Sequence, residues 1–446
     1  MLLFLFNSIR ANKWLAFALL LAVGLALPLP ANAKKKKTTD TTTEAAPIGP
    51  RKFDFDPTSL VWPHPPSFPR VHWLDYFAGQ KIDYTPAPAK KKQKQTWMDR
   101  LAGSQAQTEK FNPKTFPFQL IGPYGLAVDS KGLLYVADQR VGAVFIFNPE
   151  THDTQLIRNG YEAKFGWING VAIDDNDRVF VSDGKLRRIM IFNAKHEVEG
   201  QIIEGLVDPV GLAVDTENRF LYVADTQQDQ IIVYDADTYK LLRRIGTGGK
   251  SHYLTTPGDF GGPQGVAVDK NGDVYVTDTM NDRVEIFDAD GKFISTFGRN
   301  GDGPGSFTRP KGIAVDGDGH IWVADEMQDR LQVFNREGQV LTYIGTGHGN
   351  LPGQFKALVG VAIDKQNRVF TSEQYPGRVQ MFRYVTDAEA EKEKARLEEE
   401  RQKAADQRHN AAEAPAEKPA ETPPAKAPEA PAQKDNPPPK TPGAGQ

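Results

Sequence analysis

The sequence predicts an all-β molecule, a six-bladed β-propeller with an N-terminal strap and a C-terminal tail that is helical and then disordered. Three observations predict it. A unit of the form Gly-apolar-Ala-apolar-Asp begins at Gly125, Gly170, Gly211, Gly265, Gly312 and Gly360. Each copy continues into an aromatic-centred run that closes on an acid, such as Leu134-Tyr135-Val136-Ala137-Asp138. Two more short runs follow, such as Arg283-Val284-Glu285-Ile286-Phe287 and Phe293-Ile294-Ser295-Thr296-Phe297. Short β-branched and aromatic runs bounded by Gly, Asp, Asn and Pro are strands, too turn-punctuated for helices. Four sequential strands in about 45 residues, repeated radially, make propeller blades.

Residues 1–33 read as an export signal. Arg10 and Lys13 precede an apolar run over residues 14–27, Pro28 and Pro30 break it, and Ala31-Asn32-Ala33 offers a small-residue cleavage site. The expected product is exported, to the periplasm or the exterior. Lys34, Lys35, Lys36 and Lys37 follow the cut and disfavour translocation, so the alternative is an uncleaved segment that anchors the chain at a membrane. Residues 34–115 form a largely irregular linker. Within it Trp62, Pro63, Pro65, Pro66, Phe68, Pro69, Trp73, Tyr76 and Phe77 predict an extended aromatic strap on the propeller wall.

The propeller itself is assigned to residues 116–385. Links such as Asp269-Lys270-Asn271-Gly272 and Asp316-Gly317-Asp318-Gly319 carry hairpin chemistry, because Gly and Asn tolerate positive φ. The sixth copy holds three strands only. Phe116-Pro117-Phe118-Gln119-Leu120-Ile121-Gly122 resembles the other fourth strands and is expected to close the ring, leaving no open edge. Residues 386–410 predict a charged, solvated helix without the apolar seam of a coiled coil. Residues 411–446, rich in Pro, Ala, Lys and Glu, predict a disordered tail.

The net charge of −3 gives no global field pointing to nucleic acid. With no Cys there are no disulfides and no thiolate metal sites.

The tandem copies resemble the NHL-repeat family of β-propellers over residues 116–385. In such propellers the loops leading into each first strand share one face with the loops between second and third strands. The residue before each repeat Gly is Tyr124, Asn169, Val210, Gln264, Lys311 or Val359. A framework position repeats its chemistry; this one varies and is expected to face the channel mouth. Tyr124, Trp167, Asn169, Gln264, Arg309 and Lys311 are therefore the candidate binding residues. Phe165, Phe260, Phe307 and Phe355, with Leu120 and Leu206 in the remaining copies, recur five residues before the Gly and read as packing plugs. Asp183 with Arg188, Asp278 with Arg283, Asp325 with Arg330 and Glu373 with Arg378 read as structural ion pairs.

No catalytic set emerges. Amidating lyases similar to this family bind zinc through channel His residues, but here His252 and His348 sit in different loops and His320 in a turn on the opposite face. Related lactonases and lyases use channel carboxylates, for which Glu326 and Glu373 are the candidates. No metal and no cofactor are expected. The reading is a non-catalytic binding or scaffolding propeller of the cell envelope, holding a protein, peptide or glycan partner on its loop face. The alternative is a propeller hydrolase or lyase working at the channel mouth. A nucleic-acid partner is not expected, given the export signal and the mixed charge.

Overall fold

The computed structural model describes residues 56–78, 119–157, 164–248, 256–345 and 347–413, with side chains described to residue 407. The export signal, most of the linker and the C-terminal tail lie outside the described residues. Six antiparallel sheets are present, five of them joined in sequence order and the sixth completed from the N-terminal strap, so the fold is the six-bladed propeller expected. Blade one comprises Pro123–Val128, Leu134–Asp138, Ala143–Phe147 and Thr154–Ile157. Blades two to five begin at Ile168–Ile173, Pro209–Asp215, Pro263–Val268 and Pro310–Val315. Blade six contributes Leu358–Ile363, Arg368–Glu373 and Arg378–Tyr384.

The middle two strands of every blade are the core. Leu134–Asp138, Val179–Asp183, Val274–Asp278 and Ile321–Asp325 are buried along their whole length. Side chains on both faces of these strands pack against adjacent blades, which explains why they read as continuous apolar runs and not as alternation. Trp322 and Tyr275, for example, belong to clusters that span two blades.

Ring closure differs from the expectation. The fourth strand of blade six is not Phe116–Gly122 but β2 (Val71–Phe77), from the aromatic strap. It pairs antiparallel with the third strand, Val71 opposite Tyr384, Trp73 opposite Phe382 and Phe77 opposite Val379. A short β1 (Val61–Trp62) pairs with β2 and makes this the one five-stranded sheet among the described residues. The physical reason is burial. Val71, Trp73 and Phe77 present an alternating apolar face, and the Trp73 indole donates to Gln380 Oε1 at 2.9 Å. Leu120, Ile121 and Gly122 instead form the lead-in to blade one, where Leu120 fills the plug position and is fully buried.

Beyond the last strand, α1 (Asp387–Glu413) is the charged helix expected. It opens on a capping box: the Glu389 amide donates to Thr386 Oγ1 at 3.2 Å and the Thr386 amide to Glu389 Oε2 at 2.9 Å.

Candidate functional site

The channel mouth is shaped first by what the axis excludes. A Cβ built on Gly170 would lie 2.2 Å from the Val210 carbonyl oxygen, and one on Gly265 2.2 Å from that of Lys311. The other four repeat glycines meet the next blade's backbone in the same way. Each repeat Gly therefore exists so that six innermost strands can converge. In blades two, four and six a hydroxyl adds a staple. Ser182, Thr277 and Ser372 donate to the carbonyls of Val210, Lys311 and Tyr124 in the following blade, at 2.6, 2.6 and 2.5 Å.

The second-strand acid holds the lead-in loop above this floor. Asp138 accepts from the amides of Ile121 and Gly122, Asp225 from Val207 and Asp208, and Asp325 from Thr308 and Arg309. Its main role is thus to bind backbone, and the expected pairing with Arg five residues on forms in two copies of four. Arg283 reaches Asp278 and Arg378 reaches Glu373, each at 2.9 Å. Arg188 turns instead to Gln201 and the Lys164 carbonyl, and Arg330 to the Asp302 carbonyl. In those two copies loop amides already saturate the carboxylate. Burial pushes the Glu373 carboxyl up to about 7 despite Arg378.

The plugs are as expected: Phe260, Phe307 and Phe355 are essentially sealed from solvent. The longer lead-ins of blades four to six share a Pro-Gly-x-Phe turn, whose Gly amide is held from below by the middle residue of the third strand. Gly258, Gly305 and Gly353 donate to Glu285, Gln332 and Gln380, each at 2.9 Å.

Of the six candidate residues, Tyr124, Gln264 and Lys311 line a pocket on the axis, together with Val210 and Val359. The Tyr124 hydroxyl donates to Gln264 Oε1 at 2.6 Å. Lys311 is 7% exposed, with its ammonium 5.3 Å from the Tyr124 ring centroid. Burial lowers its pKa, opposed by Glu326, and burial raises that of Tyr124, aided by Glu326. Trp167 and Arg309 stand higher, three residues before their repeat Gly, where the other copies carry Gly122, Asp208, Gly262 and Ala357. Trp167 is 46% exposed and the Arg309 side chain 47%. Asn169 is not on the open surface. It is buried in the seam, donating to the Pro209 carbonyl at 3.2 Å and accepting from Gln139 at 2.6 Å.

A second ring of mouth residues was read from the sequence only at Glu326, as a candidate channel carboxylate. The residue after each second-strand acid is Gln139, Gly184, Thr226, Thr279, Glu326 or Gln374. Its variation was the available signal, the same one that singled out the pre-Gly ring. Thr226 and Thr279 bond the carbonyls of Pro263 and Pro310. Glu326 Oε2 lies 3.1 Å from both Lys311 Nζ and Arg309 Nε, as an ion pair with each. Asp208 faces the same mouth, and burial together with Asp225 raises its pKa. One residue further along, Met280, Met327 and Tyr375 are exposed on the same face, as are Leu186 and Leu351.

Among the described residues no group of three or more His, Asp or Glu side chains stands close enough to hold a metal ion. His320 is engaged with Asp316 and His348 with Asp329, while His252 lies outside the described residues.

Residues 261–405 match a family described as 6-bladed beta-propeller, and residues 175–298 the SMP-30/Gluconolactonase/LRE-like region. The chain is 27% identical over 223 residues to NHL repeat-containing protein 2 of Bos taurus, covering 48% of this chain and 27% of that protein. It is 32% identical over 94 residues to NHL repeat-containing protein 2 of Homo sapiens, covering 20% and 13%. The matched region thus spans 27% or less of these relatives' length. Among solved structures, virginiamycin B lyase from Staphylococcus aureus superposes with a TM-score of 0.44 at 14% identity, over 59% of this chain and 96% of that one. Six tandem copies of one unit and the ring they build make this chain a six-bladed β-propeller, similar in its repeats to the NHL repeat-containing proteins.

Proposed function

We propose that this propeller is a non-catalytic binding or scaffolding module of the cell envelope that holds a partner on its loop face. One observation carries the reading. Trp167 and Arg309 stand half exposed at a register where the other copies carry Gly, Ala or Asp, on a scaffold whose other positions are tied down. Large aromatic and Arg side chains presented by a rigid frame are the usual energetic anchors of an interface. The interior polar groups of the mouth support the same reading, because Tyr124, Gln264, Lys311, Glu326 and Asn169 already bond one another or the frame. Export of the chain, read from residues 1–33, puts the face within reach of envelope partners.

The test pairs capture with turnover. Trp167→Ala and Arg309→Ala are expected to keep the melting temperature and to weaken partner capture from envelope extracts by roughly 1–2 kcal/mol each. Lys292→Ala, an exposed change in a hairpin of the opposite face, is expected to leave capture unchanged. Hydrolysis of simple lactones by the purified chain, abolished by Glu326→Gln, would replace this reading with the enzymatic one.

A further inference from the structure

The charge and apolarity of the loop face identify the kind of partner, an inference that rests on the binding reading above. At the mouth, two cations share a single carboxylate: Arg309 Nε and Lys311 Nζ both lie 3.1 Å from Glu326 Oε2. Within this triad one formal positive charge is left over, while Asp208 elsewhere on the rim balances the formal charge of the mouth as a whole. The triad's charge is presented by Arg309, whose guanidinium is half exposed and whose Nη1 and Nη2 make no hydrogen bond among the described residues. A free guanidinium edge matches a carboxylate in planar, two-point geometry. Asp208, on the same rim, disfavours a second negative charge on its side of the mouth.

Around this charge the face is apolar on two sides. Met327 is 62% and Leu351 66% exposed, and Met280 is exposed in the corresponding loop of blade four. Tyr375, also exposed, is engaged by Arg140 through its hydroxyl and its ring. Trp167 and Leu186 are exposed on blade two. In a ring of six, blade two stands opposite blade five, so apolar side chains flank the mouth across its diameter. Exposed apolar side chains gathered on one face of a scaffold favour protein contact, and Met in particular adapts to apolar side chains. Their thioether and aliphatic groups offer nothing to sugar hydroxyls.

We propose that the loop face binds a polypeptide segment that crosses the channel mouth, sets one Asp or Glu side chain on Arg309, and seats apolar side chains to either side. The flanking ones rest on Trp167 and Leu186 at one end and on Met327 and Leu351 at the other. A chain that ended in the mouth would reach one apolar side only, which is why the carboxylate is a side chain and not a terminus.

The experiment selects displayed random peptides of about twelve residues, enough to span some 40 Å extended, against the purified full-length chain. One library is tethered at both ends, and a second displays free C-termini. The doubly tethered library is expected to enrich Asp or Glu over Asn or Gln at one central position, with apolar residues before and after it. A selected peptide, blocked at both ends, should bind about tenfold more weakly to Arg309→Gln or when its own acid is made an amide. It should also weaken with Met327→Ala and be indifferent to Lys292→Ala. All three changes are at exposed side chains, and the melting temperature checks that each variant folds. Enrichment confined to free C-termini would overturn the crossing geometry. Selected peptides that lack an acid, or whose acid is indifferent to Arg309→Gln, would overturn the carboxylate assignment while loss of binding in Trp167→Ala kept the loop face. Peptides indifferent to Trp167→Ala, Arg309→Gln and Met327→Ala alike would remove both the inference and the reading beneath it.

Discussion

A single hydrogen replaced by a methyl group is enough to strain the closure of this ring. At Gly211 an added Cβ would stand 2.2 Å from the Gln264 carbonyl oxygen and 3.1 Å from Gly265 Cα, both backbone atoms that cannot move aside alone. Gly211→Ala is expected to cost about 2–3 kcal/mol, the range for overpacking a close contact, read as a lowered urea midpoint. Gly317, in an exposed turn with nothing within 4 Å, is the control, and Gly317→Ala should shift the midpoint little. Glu285 supplies a second residue-scale prediction. Burial pushes its carboxyl from 4.5 up to about 7, against the opposing pull of Arg283 and the Gly258 amide. The folded protein then holds that proton longer than the unfolded chain, so this group's contribution to stability falls as pH rises from 4.5 to 7. Blades five and six place Gln332 and Gln380 at the same position and bond the same turn. Glu285→Gln should therefore stabilise by about 1–3 kcal/mol at pH 8 and by little near pH 4.5. An equal gain at both ends of that range would contradict the burial argument.

At the scale of the element, the strap is the part that changes meaning. Pro63, Pro65, Pro66 and Pro69 made the segment look irregular, yet the seven residues after Arg70 form β2 and complete blade six. Trp73 is its anchor, buried and bonded to Gln380, which itself binds the Gly353 turn and Glu373. Trp73→Ala removes a large core side chain and leaves a buried amide short of a partner. It is expected to cost about 3–5 kcal/mol in chemical denaturation. A cost under about 1 kcal/mol would mean that β2 merely covers an already closed ring.

The ring as a whole couples these local events. Each blade buries its faces against two neighbours, and the strap joins the first described segment of the chain to its last blade. Damage at one blade is therefore expected to lower the stability of all six together. Gly211→Ala in blade three and Trp73→Ala in blade six should each unfold in one transition, with intrinsic fluorescence and far-ultraviolet circular dichroism coinciding. An open row of repeats would lose its edge first and show the two probes apart.

The sequence by itself determined the architecture and much of the frame. The Gly-apolar-Ala-apolar-Asp copies, the plug Phe residues and the turn chemistry are local patterns whose physical demands are the same in every blade, so repetition made them legible. It also located the mouth, because a ring that abandons repeat chemistry stands out: Tyr124, Gln264 and Lys311 do line the axis. Only the tertiary structure decided which strand closes blade six, since two stretches carry strand-like alternation and the choice depends on what Tyr384, Phe382 and Val379 bury. It also withdrew Asn169 into a seam between blades, split the expected ion pairs by what else each carboxylate binds, and brought Glu326 onto Lys311 and Arg309. These are contacts between residues distant in the chain or competing for one partner. Their outcome depends on distances that only the closed ring sets.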